Sequence, residues 1–392
     1  MKGEMLLEDR GLRLVSDEQK RGGKLVFTKK KVLALLLVLA VALSLVGCAQ
    51  TSPKAEETEE SGDEKLKVGL VFDVGGRGDL SFNDGTYAGF EKAFADFADK
   101  IEGNPEDAAK EPSGGGEDRE QLMRLLAENG YDMIVAVGFM FTEHVDKLSK
   151  EFPDTKFVLI DGAIDDLDES SNITCLLFKE HEGSFLVGAA AALKSETNKV
   201  GFVGGMKGAL IERFEVGYLA GAKYVKPNIE TFSDYIGTTG DAFKDPIKGK
   251  ELALKQYKAG ADVVYHASGA SGTGVIEAGT NEKKFVIGVD SDQSLTATEE
   301  QRPYILTSMI KRLDVATYNT IKDFVEGNYK GGYQVFGLAD DGVGYAVNEY
   351  NKDLLSDIEP QLGELKAQVV KGEIEVPIDR AEYEEFLETL PK

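Results

Sequence analysis

Lys67-Val-Gly-Leu-Val-Phe-Asp73-Val-Gly-Gly-Arg-Gly-Asp-Leu-Ser-Phe82-Asn83 runs from an unbroken apolar stretch into a glycine-crowded loop. Tyr87, Phe90, Ala93, Phe94 and Phe97 then recur three and four residues apart, the spacing of one helix face. Strand, loop, helix is therefore the opening of the domain. The same alternation continues along the chain. Further strand patterns are read at Met133–Val137, Lys156–Ile160, Ile173–Phe178, Lys199–Val203, Thr231–Ile236, Asp262–His266, Lys284–Val289 and Tyr304–Met309. Helical spacing lies between them at Leu122–Leu126, Phe185–Leu193, Val216–Tyr224, Leu252–Tyr257 and Val315–Val325. Apolar strands alternating with helices predict parallel sheets covered on both faces. Nine such strands exceed an ordinary sheet, so two α/β lobes are expected. The polar stretch Glu102–Asp118 reads as a loop, and no internal repeat is visible.

The N-terminal region carries an address. Lys29-Lys-Lys31 precedes the apolar run Val32–Val46, followed by Gly47-Cys48. A basic segment, an apolar segment and a small residue before the cut define a secretory signal. The apolar run is short for a membrane span, which needs about 20 residues. Leu45-Val46-Gly47-Cys48 resembles a bacterial lipobox, which implies lipidation of Cys48 and membrane anchoring on the extracytoplasmic face. Residues 1–47 are thus read as a signal peptide. Residues 1–24 do not fit a signal and suggest a true start near Leu25 or Val26. Residues 48–65, rich in Thr, Ser, Pro and Glu, read as a flexible tether.

Composition excludes several classes. The formal charge of -24 argues against a nucleic-acid partner, whose binding needs clustered Lys and Arg. His144, His181 and His266 lie far apart, without metal-ligand spacing. With Cys48 lipidated, Cys175 is left without a disulfide partner and reads as a small buried hydrophobe. No phosphate loop, nucleophile elbow or ordered Ser, His and Asp set occurs, so binding without chemistry and without a cofactor is expected. Arg77-Gly78-Asp79 is read as compositional rather than an adhesion motif. Gly269-Ala-Ser-Gly-Thr-Gly274 leaves a phosphate-binding turn open beside a plain helix start.

In open parallel sheets, ligands bind beyond the carboxyl ends of strands. Those ends are Asp73 with its loop, Gly138-Phe139, Asp161-Gly162, Gly204-Gly205, Gly237, Ser268-Gly269 and Asp290. Glycines admit a ligand close to the backbone, and carboxylates accept hydrogen bonds from its donors.

Linked motifs sharpen this reading. Val68–Gly76 with Ser81-Phe-Asn83, Phe157–Asp161, Glu182-Gly-Ser-Phe185, Lys199–Gly205, Phe214-Glu-Val-Gly217, Gly288-Val-Asp290-Ser-Asp292 and Thr307–Lys311 resemble the basic membrane protein family over residues 66 to 350. These are nucleoside-binding lipoproteins that serve ABC importers. The resemblance implies the type I periplasmic-binding-protein fold, two parallel-sheet α/β lobes joined by a three-segment hinge. Lobe 1 is then expected at 66–177 plus about 308–329, lobe 2 at 178–307 plus about 330–350, and a helical tail at 351–392. It also implies that Phe82 and Phe214 sandwich a nucleobase, that Asn83 and Asp161 read its edge, and that Asp290, Gly269 and Lys311 hold the ribose, with Asp73 as an added contact. One departure stands in the loop. Gly78-Asp79-Leu80 replaces a pair of acidic residues and a Lys before Ser-Phe-Asn, which leaves the pocket rim and base preference open.

A purine nucleoside is the expected ligand, delivered to an ABC permease and ATPase. Three other readings remain: a sugar or furanose binder, a ligand sensor for a membrane kinase, and a nucleoside enzyme. The signal and the missing nucleophile speak against the last.

Overall fold

The computed structural model describes residues 64–391; the expected signal peptide, Cys48 and the expected tether up to residue 63 lie outside the described residues. The strands are β1 (Val68–Val71), β2 (Ala109–Lys110), β3 (Met133–Ala136), β4 (Lys156–Ile160), β5 (Ile173–Phe178), β6 (Lys199–Met206), β7 (Glu230–Gly237), β8 (Val263–Ala267), β9 (Phe285–Asp290), β10 (Ile305–Lys311), β11 (Gly332–Phe336) and β12 (Val343–Tyr345). They form two six-stranded sheets, ordered β11-β5-β4-β3-β1-β2 and β12-β10-β9-β8-β6-β7. Every pairing is parallel except β10 with β12. The two orders are equivalent position by position. The lobes differ only in the direction of one edge strand, β11 running parallel to β5 and β12 antiparallel to β10.

The central strands are apolar on both faces because helices cover both. All four residues of β1 and β3 are buried, as are all five of β8. All nine strands expected from sequence are present. Three differences appear. The expected loop at 102–118 contains a short helix, Pro105–Ala108, and the edge strand β2. Strand β11 pairs with β5 in the first sheet, whereas 330–350 was expected in the second lobe. Residues 308–311 belong to β10 in the second sheet, while the following helix Leu313–Val325 packs on Phe82–Asp96 of the first lobe. The tail holds the helices Glu359–Val370 and Arg380–Thr389.

The chain crosses between lobes after β5, after β10 and between β11 and β12. These crossings form a three-strand hinge. Beside it, the helix Glu180–Lys194 packs closely on Ala209–Val225. A Cβ on Gly188 would meet Tyr218 O at 2.0 Å, and one on Gly221 would meet Phe185 O at 1.9 Å. Glycines at both positions let the backbones touch and fix Phe214 relative to the hinge. Among the described residues, no helix is long and apolar enough to cross a membrane.

Candidate functional site

The loop after β1 is built around Asp79. Its buried carboxylate accepts from the backbone N–H groups of Ser81, Asn83 and Asp84 and from Asn83 Nδ2, at 2.8–3.1 Å. This satisfies the open donors at the start of the helix Phe82–Asp96. Asp84 in turn accepts from Arg77 Nε and from the N–H groups of Gly78 and Leu80. With Asp79 buried and Arg77 bound to Asp84, the Arg-Gly-Asp tripeptide is scaffold. The loop's purpose is to set Phe82, half-buried, at the edge of the cleft.

Asp73, Phe82, Asn83, Asp161, Phe214, Gly269, Asp290 and Lys311 all line one cavity between the lobes. Phe139 and Phe243 line it too, and its empty space, including the mouth, is about 530 Å³. That is the size range of small-molecule sites.

Lys311, the last residue of β10, is the centre of charge. Its Nζ donates to Asp161 Oδ2 at 2.5 Å and Glu180 Oε1 at 3.2 Å. Three aromatic rings face the same ammonium: Phe178 at 4.8 Å, Phe82 at 5.3 Å and Phe214 at 5.5 Å. Burial works against the charged form, yet Asp161, Glu180 and Asp290 together hold its pKa above the ordinary lysine value. For Glu180, burial is the larger effect and pushes the carboxyl up against the pull of Lys311. Asp161 Oδ1 is buried with no hydrogen-bond partner.

Asp290 joins the lobes. Its Oδ2 accepts from Ser81 Oγ at 2.5 Å, and Gln293 Nε2 donates to Leu80 O at 3.2 Å. Across the mouth, Lys244 Nζ donates to Gly114 O at 2.5 Å. These contacts hold the lobes closed over the cavity. Burial pushes the Asp290 carboxyl up to about 6, while Lys311 and Ser81 pull it down.

Asn83 is committed to the loop. Its Oδ1 accepts the Asp73 N–H at 2.9 Å and its Nδ2 donates to Asp79, which leaves one N–H for anything else. Within Gly269–Gly274, packing accounts for two of the glycines. A Cβ on Gly272 would lie 1.9 Å from the His266 ring, and one on Gly274 would lie 1.8 Å from Pro246 O. Gly272 thus lets the helix Gly272–Glu282 pack on strand β8, and Gly274 lets it pack on the helix Pro246–Lys258. Ser81 stands in the quoted loop motif but with no role assigned, and Glu180 and Arg119 escaped the sequence reading; Arg119 donates to Asp73 at 3.2 Å. The phenylalanine Phe243 did too, for nothing in Gly240–Phe243 distinguishes it from a turn. Among the described residues, no cluster of His, Cys, Asp and Glu could hold a metal ion.

Comparison with known proteins agrees with this architecture. The family profile for ABC transporter substrate-binding protein PnrA-like (Bmp) matches residues 66–380. A CD4+ T-cell-stimulating antigen of Listeria innocua is 34% identical, covering 89% of this chain and 99% of its own. The ABC transporter nucleoside-binding protein BmpA of Lactococcus lactis is 31% identical, over 89% of this chain and 99% of its own. A solved ABC transporter solute-binding protein from Aeropyrum pernix superposes with a TM-score of 0.69 at 29% identity, covering 82% of this chain and 96% of that one. Two lobes closed on a lined cavity are what a capture protein needs, and the chain belongs to the Bmp family of PnrA-like ABC transporter substrate-binding proteins.

Proposed function

We propose that this protein is anchored through Cys48 to the outer face of the cell membrane, captures a purine nucleoside and passes it to an ABC permease and its ATPase. One observation carries the ligand class. The unpaired Asp161 Oδ1 lies beside Lys311, whose ammonium spends two of its three N–H donors on Asp161 and Glu180. A buried acceptor left open costs about 1–3 kcal/mol, so a ligand that presents a donor there is selected. The aromatics Phe82 and Phe214 flank the same ammonium and supply faces for a planar base. Asp290, Lys311 and the backbone at Gly269 are assigned to the ribose, and Asp161 to the base edge. Asn83 contributes its remaining N–H, and Asp73 an added acceptor.

The ligand is neutral. Asp73, Asp161 and Asp290 line the cavity with Lys311 as the one lining cation among the described residues, so a phosphate would meet like charge in a closed cleft. Calorimetry with guanosine, inosine, adenosine, free ribose and guanosine 5'-monophosphate tests the reading. Nucleosides bind; ribose and the monophosphate do not. Ribose binding as tightly as nucleoside would replace this reading by a sugar receptor. For the anchor, Cys48→Ser releases the protein from the membrane fraction, and retention without lipid would refute it.

A further inference from the structure

Behind the cavity wall lies a buried cation that does not line the cavity. Arg119 opens the helix Arg119–Glu128, and its side chain reaches inward to Asp73, with 9% and 8% of the two side chains exposed. Its Nη2 donates to Asp73 Oδ1 at 3.2 Å and its Nη1 to Gly116 O at 3.1 Å. The guanidinium packs over the Phe141 ring at 5.6 Å and against Met140 Sδ at 3.5 Å.

Two glycines are shaped around this pair. Gly116 has φ +87° and a Cβ there would lie 2.3 Å from the guanidinium carbon; Gly138 has φ +112° and a Cβ there would lie 2.4 Å from Asp73 Oδ2. Both backbone conformations disfavour other residues, so the pocket for the ion pair is specified twice. Asp73 Oδ1 is filled from behind, by Arg119 and by the Val74 N–H at 2.7 Å. What Asp73 can offer a ligand is therefore Oδ2.

We propose that Arg119 is a positioning residue that holds Asp73 as a fixed, ionised acceptor in the cleft, and so selects ligands that present an N–H or O–H donor at that end. The inference deepens the nucleoside reading and rests on it for the identity of the ligand. A buried carboxylate with no cation takes up a proton and becomes a donor itself. The charged groups around Asp73 are Arg119, Asp161 at the end of β4, and Asp79 through Asn83; Lys311 is bound to Asp161. Among the described residues, Arg119 is the one cation in direct contact. Even with it, burial pushes the Asp73 carboxyl up to about 6.

The test uses Arg119→Gln, Arg119→Lys, Asp73→Asn and the double variant Arg119→Gln/Asp73→Asn in the domain as expressed. Carbon NMR of the ligand-free protein follows the Asp73 carboxyl, and calorimetry follows inosine from about pH 5.5 to 9, a window that spans the shifted carboxyl. Arg119→Gln raises the Asp73 titration and weakens inosine at neutral pH by about tenfold or more, the worth of one charge-assisted hydrogen bond, with recovery as pH rises. Arg119→Lys restores most of both. In the Asp73→Asn background, Arg119→Gln changes affinity no further. An unmoved Asp73 titration, or losses that multiply in the double variant, overturns the proposal. Should Arg119→Gln fail to fold, Arg119→Lys still decides, because loss of the planar fork must shift Asp73 in the same direction by less. If the unsubstituted protein ignores inosine, the nucleoside reading falls while the NMR arm still judges Arg119.

Discussion

Asp161 and Asp290 occupy equivalent places in the two lobes. Each stands at the carboxyl end of the third strand of its sheet, β4 or β9, and each has a left-handed backbone, φ 62° and 64°. Neither caps a following helix; Asp292 caps the short helix after β9. Non-glycine residues take this conformation rarely, with Asp and Asn the usual ones, and such strain clusters at functional sites. The carboxylates meet through Lys311, which bonds Asp161 and stabilises the charge of Asp290.

Asn tolerates the left-handed region, so Asp161→Asn and Asp290→Asn test charge without adding backbone strain. Each is expected to weaken nucleoside binding by about tenfold to a hundredfold, because an amide nitrogen would face the ligand donor or force a flip. Alanine at either site is expected to lower the melting temperature as well. Wild-type affinity in both Asn variants would remove the two carboxylates from the site.

Phe82 and Phe214 differ in burial, which separates binding from stability. Phe82 is half-buried, whereas Phe214 is 3% exposed within the core of its lobe. Phe82→Ala should weaken binding by about tenfold to a hundredfold with a small change in melting. Phe214→Ala should also cost about 3–5 kcal/mol of stability. Phe214→Leu keeps most of the packing and removes the aromatic face, so reduced affinity with near-normal melting is its expected result. A variant set in which affinity follows melting temperature alone would mean that the rings are only structural.

Affinity and stability should respond to pH with opposite signs at Asp73 and Asp290. Both are pushed up to about 6, mainly by burial. A ligand donor needs the ionised form, so affinity is full above about pH 6 and falls as pH drops through it. In the empty protein, an acid raised above its ordinary value of 3.8 binds protons more tightly when folded. These groups therefore cost stability above about pH 6, and the cost fades as pH falls toward the ordinary value. His266 and His181 are lowered to about 4 by burial and act in reverse, losing stability as pH falls below 6.5. Melting curves mix the two, whereas calorimetry isolates the first. Affinity unchanged between about pH 8 and 5 would exclude both carboxylates as acceptors.

How much of this was readable in the residues depends on burial. Central strands such as β1 and β4 announce themselves because both faces are covered, giving unbroken apolar runs. Edge strands do not: β2 has two residues, and in β11 Tyr333 and Val335 are exposed next to Gly331-Gly332. The cleft residues were found because strand ends and family motifs point there. Glu180 and Arg119 carry no such mark. In Lys179-Glu-His-Glu182 nothing says which carboxylate turns inward, and Arg119 is one charge among many until Gly116 and Gly138 are seen in space.

The residue next to Phe214 links the cleft to the end of the chain. Glu215 is 4% exposed, and its Oε1 accepts from Arg380 Nη2 at 2.5 Å while its Oε2 accepts from Tyr235 OH at 2.6 Å. Arg380 begins the final helix, Arg380–Thr389, where the family match ends. Asp379 caps that helix by accepting the Glu382 N–H, and Phe386 packs edge-on against Phe185 and stacks with Tyr224. The helix is thus a brace on the two helices that carry Glu180 and Phe214. Arg380→Ala leaves Glu215 buried with only a hydroxyl partner, and should cost about 1–3 kcal/mol by chemical denaturation, less than a fully buried pair because Arg380 is partly exposed. Glu215→Gln in the same chain removes the uncompensated charge and should recover most of that loss. Removing the chain after Val376 should cost more than Arg380→Ala, since it also strips the aromatic contacts, and should weaken nucleoside binding through Phe214. If Arg380→Ala denatures like the parent and Glu215→Gln brings no recovery, the terminal helix does not brace the cleft.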